Sequence, residues 1–144
     1  MLAFVLRPAI ETDREFVFDT YREAVGPYVD RTWGWNEQFQ HRGFWENLAL
    51  EHFRVIIVDG TRCGAAHWTR RVDCYYLDMI FLLPQFRNRG IGSKIVADLL
   101  SQARAEGLAV TLRVMRVNPA KSLYERLQFT VTREDAAFYE MRAA

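Results

Sequence analysis

The sequence predicts a mixed α/β domain, because strand-like alternation and helical spacing of apolar residues follow one another in the order βααβββαβαββ. The 144 residues are half hydrophobic, which is enough to bury one sizeable core and too few for two ordinary domains. The sequence contains no repeat, low-complexity tract or linker. Residues 1–144 are therefore expected to form a single domain.

The first third of the chain predicts one strand and two helices. Residues 2–7, LAFVLR, have the composition of a short strand. Thr12 and Glu15 have the spacing of a capping box, and apolar residues follow at helical intervals. Gly26-Pro27 predicts the end of this helix. An aromatic connection, TWGW, then leads to a second helix, in which the apolar residues are Phe39, Phe44 and Leu48.

Three strands are predicted next. RVIIV and CGAAHW flank Asp59-Gly60, a pair that supplies the positive φ angles of a tight hairpin. A third run, YYLDMIFLL, extends to Pro84. Its nearly continuous apolarity is typical of a central strand that is covered on both faces.

The second half alternates helices and strands. Apolar residues from Ile91 to Ala103 recur at helical spacing, and Glu106-Gly107 ends this helix. Residues 108–114 alternate like a strand, and Asn118-Pro119 predicts the start of a short helix. Residues 129–133 and 138–141 predict a last pair of strands.

Composition excludes several classes of partner. Nineteen Lys and Arg residues stand against eighteen Asp and Glu residues, so no global field attracts nucleic acid or a membrane surface. No apolar run approaches the roughly 20 residues that span a bilayer, and the N-terminus lacks a basic leader and a cleavage site. Cys63 and Cys74 lack CxxC spacing, which favours reduced packing residues over a disulfide or a metal site. We therefore expect a cytoplasmic protein without a metal.

One short stretch carries the clearest functional signal. RNRGIGSK, residues 87–94, forms a turn between the predicted central strand and a helix. Backbone N–H groups at such a turn point the same way, and glycines let an anion approach them. A phosphate or pyrophosphate therefore fits here. The spacing matches neither a P-loop nor the dinucleotide fingerprint, and glycines that serve only the geometry of the turn are the alternative.

Two longer segments resemble a known family. IFLLPQFRNRGIGSKIVADLL followed by NPAKSLYERLQF is similar to the two signature segments of the GNAT superfamily of N-acetyltransferases. The resemblance implies an acyl-CoA N-acyltransferase fold with splayed central strands and acetyl-CoA as co-substrate. It also implies that Arg87 fills the first position of the family's signature and that the cofactor's pantetheine and pyrophosphate lie along Ile80, Phe81, Leu82, Asn88, Arg89, Gly90, Ile91, Gly92 and Ser93.

The second segment implies a catalytic acid. By resemblance, Asn118 lies near the cofactor and the Tyr124 hydroxyl protonates the departing thiolate. The alternatives are a helix cap for Asn118 and a packed core aromatic for Tyr124. Two positions depart from the family pattern: the spacing between Asn118 and Tyr124 is one residue shorter than is common, and Gln128 replaces the usual glycine.

A general base is the third requirement, since the attacking amine must be neutral. Asp78 is the first candidate, because it shares a strand face with Ile80 and is surrounded by apolar residues. The alternative is a structural ion pair with an arginine such as Arg70, Arg71 or Arg113; Arg113 lies where some family members carry a Glu. His67 is the second candidate, and ordered water is a third possibility.

The acceptor is expected to contact the first helices and their connection, where Tyr28, Trp33 and Trp35 lie, unless these rings only close the core. The predicted function is transfer of an acetyl group to a primary amine of a small molecule, peptide or protein. The alternative is a module that senses acetyl-CoA without turnover; a nucleotide-binding protein is the remote third class. A homodimer formed through the terminal strand is an open option.

Overall fold

A computed structural model describes residues 3–144. It contains the predicted order of elements. The strands are β1 (Val5–Pro8), β2 (Phe53–Val58), β3 (Thr61–Arg70), β4 (Cys74–Leu82), β5 (Ala109–Met115), β6 (Thr130–Glu134) and β7 (Phe138–Ala143). The helices are α1 (Arg14–Trp33), α2 (Glu37–Asn47), α3 (Ile91–Ala105) and α4 (Lys121–Arg126). Leu2, the first residue of the predicted strand at 2–7, lies outside the described residues.

The strands form a seven-stranded mixed sheet in the order β1-β2-β3-β4-β5-β7-β6, which confirms the predicted fold class. β4 and β5 run parallel, as expected for two strands joined through a helix. Their pairing runs from Cys74 opposite Ala109 to Leu77 opposite Leu112. It stops there, although β4 continues to Leu82 and β5 to Met115.

The chain divides into two compact units, one with residues up to His67 and Met79–Ile91, the other with Trp68–Asp78 and Gly92–Ala144. In the first unit, α1 and α2 pack on the sheet through apolar and aromatic side chains. The ring of Phe44 contacts Phe18, Tyr21 and Phe53, with centroid distances of 4.6 to 5.6 Å. This core fixes the two helices that precede the hairpin.

The second unit buries one face of α3 and α4 against β5 and β7. Apolar residues of α3 recur at helical spacing, and alternate residues of the strands face them. The buried members include Val96, Leu99, Leu100, Ala103, Val110, Leu112, Tyr124 and Met141. The other strand face of this unit carries polar and aromatic side chains.

The hairpin prediction at Asp59-Gly60 is confirmed. Both residues have positive φ angles, 50° and 76°, and Val58 lies opposite Thr61. The cysteines are both free, as predicted; Cys63 is buried and Cys74 is half-buried. No helix among residues 3–144 is long and apolar enough to cross a membrane.

The prediction that Gly26-Pro27 ends the first helix is wrong, because α1 continues through Pro27 to Trp33. Proline costs the helix one backbone hydrogen bond and crowds the preceding turn. Packing compensates for this loss, since Val29 is buried beyond the proline and the indole of Trp35 lies against Gly26.

The predicted capping box of Thr12 and Glu15 is also wrong. Asp13 takes its place: its Oδ2 accepts a hydrogen bond of 2.9 Å from the backbone N–H of Ile10. Arg7 forms two hydrogen bonds with the same carboxylate, of 2.6 and 2.9 Å, and Arg62 a third of 3.2 Å. The chain before α1 is therefore held by arginines of two strands, of which Arg62 is 49 residues away from Asp13 in sequence.

Candidate active site

The turn between β4 and α3 is held in a defined conformation. Asn88 and Gly90 have positive φ angles of 60° and 84°. Asn and Gly are the residues that adopt this region most readily. Arg87 is fixed to the end of β4, because its Nε donates a hydrogen bond of 2.9 Å to the Leu82 carbonyl.

The charges around this turn favour an anion. The first turn of α3 has no acidic residue, and the exposed guanidinium of Arg89 has no ion pair within residues 3–144. Lys94 is different, since its ammonium pairs with Asp98 at 2.8 Å. The unpaired N–H groups of a helix start and a nearby arginine suit a phosphate or pyrophosphate. The residues present therefore fit the diphosphate of CoA.

The end of β4 has one occupied edge and one edge without a strand partner. On the β3 side, the Leu83 N–H donates to the Cys63 carbonyl at 2.8 Å, and a Cβ at Gly64 would clash with the Phe81 carbonyl. On the other side, pairing with β5 stops at Leu77. Backbone groups of Ile80 and Leu82 thus stay outside the β4–β5 ladder.

Tyr124 lies on α4 and is buried, with its ring 5.6 Å from that of Phe129. Burial raises the pKa of Tyr124, because the phenolate would lose its hydration. The hydroxyl consequently keeps its proton at neutral pH. Within the described chain it forms no hydrogen bond, so this proton is not committed to another protein group.

Asn118 has a local role in the structure. Its Oδ1 accepts a hydrogen bond of 2.9 Å from the Ala120 N–H, which closes the turn before α4. The helix itself begins at Lys121 with Ala120 as its N-cap residue, later than Asn118-Pro119 predicts, so Asn118 does not cap α4. Contact of Asn118 with a ligand stays a prediction.

The two candidate bases lie in different units. Asp78 is half-buried near the end of the β4–β5 ladder in the second unit. His67 is buried on β3 in the first unit, with its ring 4.6 Å from Phe53 and 5.9 Å from His52. Each occupies a strand position, as predicted, and the catalytic role of each stays a prediction.

The aromatic residues predicted to contact the acceptor differ in environment. Trp35 packs against Phe18 and Tyr21, and its Nε1 donates to Glu37 at 2.9 Å. This indole therefore closes the first core. Trp33 is 58% exposed and Tyr28 is half-buried, so these two rings have surface available for a ligand.

Sequence analysis did not assign a binding role to Tyr76, Arg113 or Phe138, which share a strand face in the second unit. The guanidinium of Arg113 lies 3.8 Å above the Phe138 ring. The alternation of Thr111, Leu112 and Arg113 along β5 was the available signal, because it places Arg113 opposite the buried face. Its partners on β4 and β7 are too distant in sequence to be paired with it beforehand.

The strand order and the turn before α3 define an acyltransferase fold. The model of the Acetyltransferase (GNAT) family matches residues 15–129, and the chain belongs to this family. No curated protein sequence matches the chain.

Several solved structures share the fold. The PaiA N-acetyltransferase from Thermoplasma acidophilum, solved in complex with coenzyme A, has a TM-score of 0.77 and 18% identity over 98% of both chains. Ard1 from Thermoplasma volcanium has a TM-score of 0.69 and 21% identity over 99% of this chain and 97% of its own. An N-acetyltransferase from Staphylococcus aureus has a TM-score of 0.73 and 14% identity over 96% of this chain and 100% of its own.

Proposed function

We propose that this protein is an acetyl-CoA-dependent N-acetyltransferase that acts on a primary amine. The observation that carries the proposal is the open turn before α3, where two left-handed residues and an unpaired arginine precede a helix without acidic residues in its first turn. Family membership supports acyl transfer in general, and a related fold has been solved with coenzyme A. The two unpaired cysteines support the cytoplasm as the proposed compartment.

The first task of the residues is to hold the donor. Backbone N–H groups of residues 88–93 bind the pyrophosphate, and Arg89 adds a charge-assisted hydrogen bond. The edge of β4 beyond the β4–β5 ladder offers backbone groups of Ile80 and Leu82 to the pantetheine amides, while the Phe81 carbonyl between them faces β3. Acetyl-CoA supplies an activated thioester, whose C–S bond is exchanged for the N–C bond of the product amide with release of the CoA thiol.

The second task is proton transfer. Tyr124 gives its proton to the leaving sulfur, for which a hydroxyl that stays protonated at neutral pH is suited. Asp78, or His67 in its place, takes the proton of the attacking amine directly or through a water. The base then releases the amine proton to solvent and the Tyr124 phenolate takes a proton up, so that net transfer moves one proton from nitrogen to sulfur and both side chains are restored.

Thiol release tests the function. The protein is incubated with acetyl-CoA and a panel of primary amines, and free CoA is followed with a thiol reagent. Amine-dependent release, with acetylated product found by mass spectrometry, supports the proposal. Calorimetric binding of acetyl-CoA without release for any amine contradicts it and favours the sensing module.

A further inference from the structure

The strand face of the second unit that points away from α3 and α4 carries an arginine stacked on an aromatic ring. Tyr76 on β4 lies opposite Thr111 on β5, and Arg113 follows Thr111 by two positions on the same face. On β7, Phe138 lies opposite Met115, which is also on this face. Neither α3 nor α4 packs here, because both contact the alternate residues.

Arg113 is exposed and held flat by its stacking on Phe138. Its register partner is Glu140, yet the Glu140 carboxylate pairs with Arg133 on β6 at 2.9 Å. Within residues 3–144, Arg113 has no ion pair with a carboxylate. When a guanidinium stacks on a ring, the N–H groups in its own plane remain available. Two of these N–H groups can donate parallel hydrogen bonds to the two oxygens of a carboxylate.

Tyr76 adds a second donor at the same place. It is half-buried, and Arg71 covers its ring at 4.1 Å. Burial raises the pKa of Tyr76, and Arg113 lies close enough to oppose that rise. The phenol is therefore protonated at neutral pH. Tyr76 lies opposite Thr111, so it is on the same face as Arg113 and diagonal to it on the neighbouring strand.

We propose that Arg113, assisted by the Tyr76 hydroxyl, binds a carboxylate of the acceptor, which makes the acceptor an amino acid or a similar amine that carries a carboxylate close to its nitrogen. This inference rests on the proposed acetyltransferase function. Asp78, the proposed base, follows Tyr76 by two positions on the same face of β4. Asp78 and Arg113 are the first residues of β4 and β5 beyond the last pair of the ladder, Leu77 and Leu112, so the two groups suit an amine and a carboxylate separated by a few bonds.

Matched pairs of acceptors test the inference. Each amino acid is compared with its carboxamide, which keeps the amine and side chain and removes the charge. The wild type is expected to prefer the acid by about 10- to 100-fold in kcat/KM, as for a charged hydrogen-bonded pair. Arg113→Gln should abolish this preference mainly through KM, and Arg113→Glu should reverse it in favour of the amide.

Arg116→Gln is the control. Arg116 is also an exposed arginine stacked on an aromatic ring, that of Tyr139 at 4.7 Å. Tyr139 lies on the buried face of the sheet, so Arg116 is outside the proposed carboxylate site. It should keep the preference for the acid. Equal kcat/KM for acids and amides in the wild type, or a preference that survives Arg113→Gln, would overturn the inference.

A binding measurement distinguishes failure of the carboxylate site from failure of the proposed acetyltransferase function. If no pair releases CoA, the acetyltransferase proposal is contradicted. Equilibrium binding of the same acids and amides to the CoA-saturated protein then decides the inference independently. Tighter binding of the acids that is lost in Arg113→Gln supports the carboxylate site, and equal binding in both proteins excludes it.

Discussion

Tyr124 combines burial with a hydroxyl that has no partner within the described chain, and this is the basis of the first prediction. Tyr124→Phe keeps the ring and its contact with Phe129 while it deletes the proton donor. We expect kcat to fall by about 10- to 1,000-fold, as for the loss of a general acid, with little change in acetyl-CoA affinity. Steady-state kinetics and calorimetry measure the two quantities. Wild-type turnover in this variant would assign the proton to water and leave Tyr124 with a packing role.

Gln128 shows how a departure from the family pattern is accommodated. A helix that ends without glycine must satisfy its last carbonyls in another way or place a different residue in the left-handed conformation. Here Gln128 itself adopts the left-handed conformation, with φ 75°. The Phe129 N–H bonds the Tyr124 carbonyl and the Gln128 N–H bonds that of Glu125, both at 3.0 Å. This is the Schellman arrangement that glycine normally provides.

The second prediction follows from the strain of that arrangement. Gln128→Gly should stabilise the protein by about 0.5–1 kcal/mol, because a non-glycine residue is disfavoured at positive φ. Gly107 is the matched control: it ends α3 with the same two hydrogen bonds, and nothing lies near its missing Cβ. Gly107→Ala should destabilise by about 1 kcal/mol. Urea unfolding of both variants checks the opposite signs; a destabilised Gln128→Gly would contradict the strain argument.

At the scale of elements, the turn between β4 and α3 carries the third prediction. Gly90→Val should abolish CoA binding, because valine resists a φ of 84° and fills the space that a phosphate needs. Gly92→Val should also abolish CoA binding, but only because its side chain fills the space of the phosphate, since Gly92 is a helical residue of α3 without a positive φ. Arg87→Ala should have a smaller effect, because Arg87 also serves to hold the Leu82 carbonyl.

Gly60→Val is the control for this prediction. Gly60 has a φ of 76° and lies in the hairpin between β2 and β3, so the backbone strain is similar and the location differs. The variant should lose stability and keep CoA affinity in its folded fraction. Calorimetry with CoA is the measurement, and unchanged affinity in both Gly90→Val and Gly92→Val would remove the pyrophosphate assignment.

Elements could be predicted wherever the deciding interactions are local. The Asp59-Gly60 hairpin and the end of α3 at Gly107 depend on residues within a few positions, and both are confirmed. The start of α1 could not be predicted, because the Asp13 carboxylate is held there by Arg7 and Arg62, which lie on two strands. The helix through Pro27 likewise depends on Trp35 packing against Gly26.

The same division holds for the candidate site at the scale of the whole molecule. The proposed donor half could be predicted from sequence, since the turn at residues 87–93 is one contiguous stretch, and its binding role stays a prediction. The proposed acceptor half could be predicted only in part, because Tyr76, Arg113 and Phe138 come from three strands and share a face only after β4, β5 and β7 are paired.

We propose that the two compact units unfold together as one domain, which is the fourth prediction. The boundaries between the units fall inside β3, at His67 and Trp68, and inside β4, at Asp78 and Met79. Unfolding one unit alone would therefore interrupt two continuous strands. A single calorimetric transition with equal calorimetric and van't Hoff enthalpies is expected, and two resolved transitions would contradict the proposal.

The stability of the whole molecule should depend on pH through Asp13. Its side chain is 2% exposed, and hydrogen bonds from Arg7 hold the pKa of Asp13 well below its usual range, with Ile10 and Arg62 contributing and burial opposing. A carboxyl group whose pKa is lowered by folding stabilises the protein above its unfolded pKa of about 4. This stability is lost as the pH falls below that value toward the folded pKa.

Asp13→Asn is therefore expected to lower the free energy of unfolding at pH 7 by about 2–4 kcal/mol, because it removes the buried charge to which Arg7, Arg62 and the Ile10 N–H donate. Its stability should fall less steeply below pH 4, so that the two proteins converge in acid. Glu11→Gln is the control: Glu11 pairs with Arg14 on the exposed surface, and its loss should change stability little at any pH. Urea unfolding between pH 2 and pH 7 measures the free energy of unfolding of all three proteins. If the pH curves of the wild type and Asp13→Asn stay parallel throughout, Asp13 is not the source of the acid sensitivity.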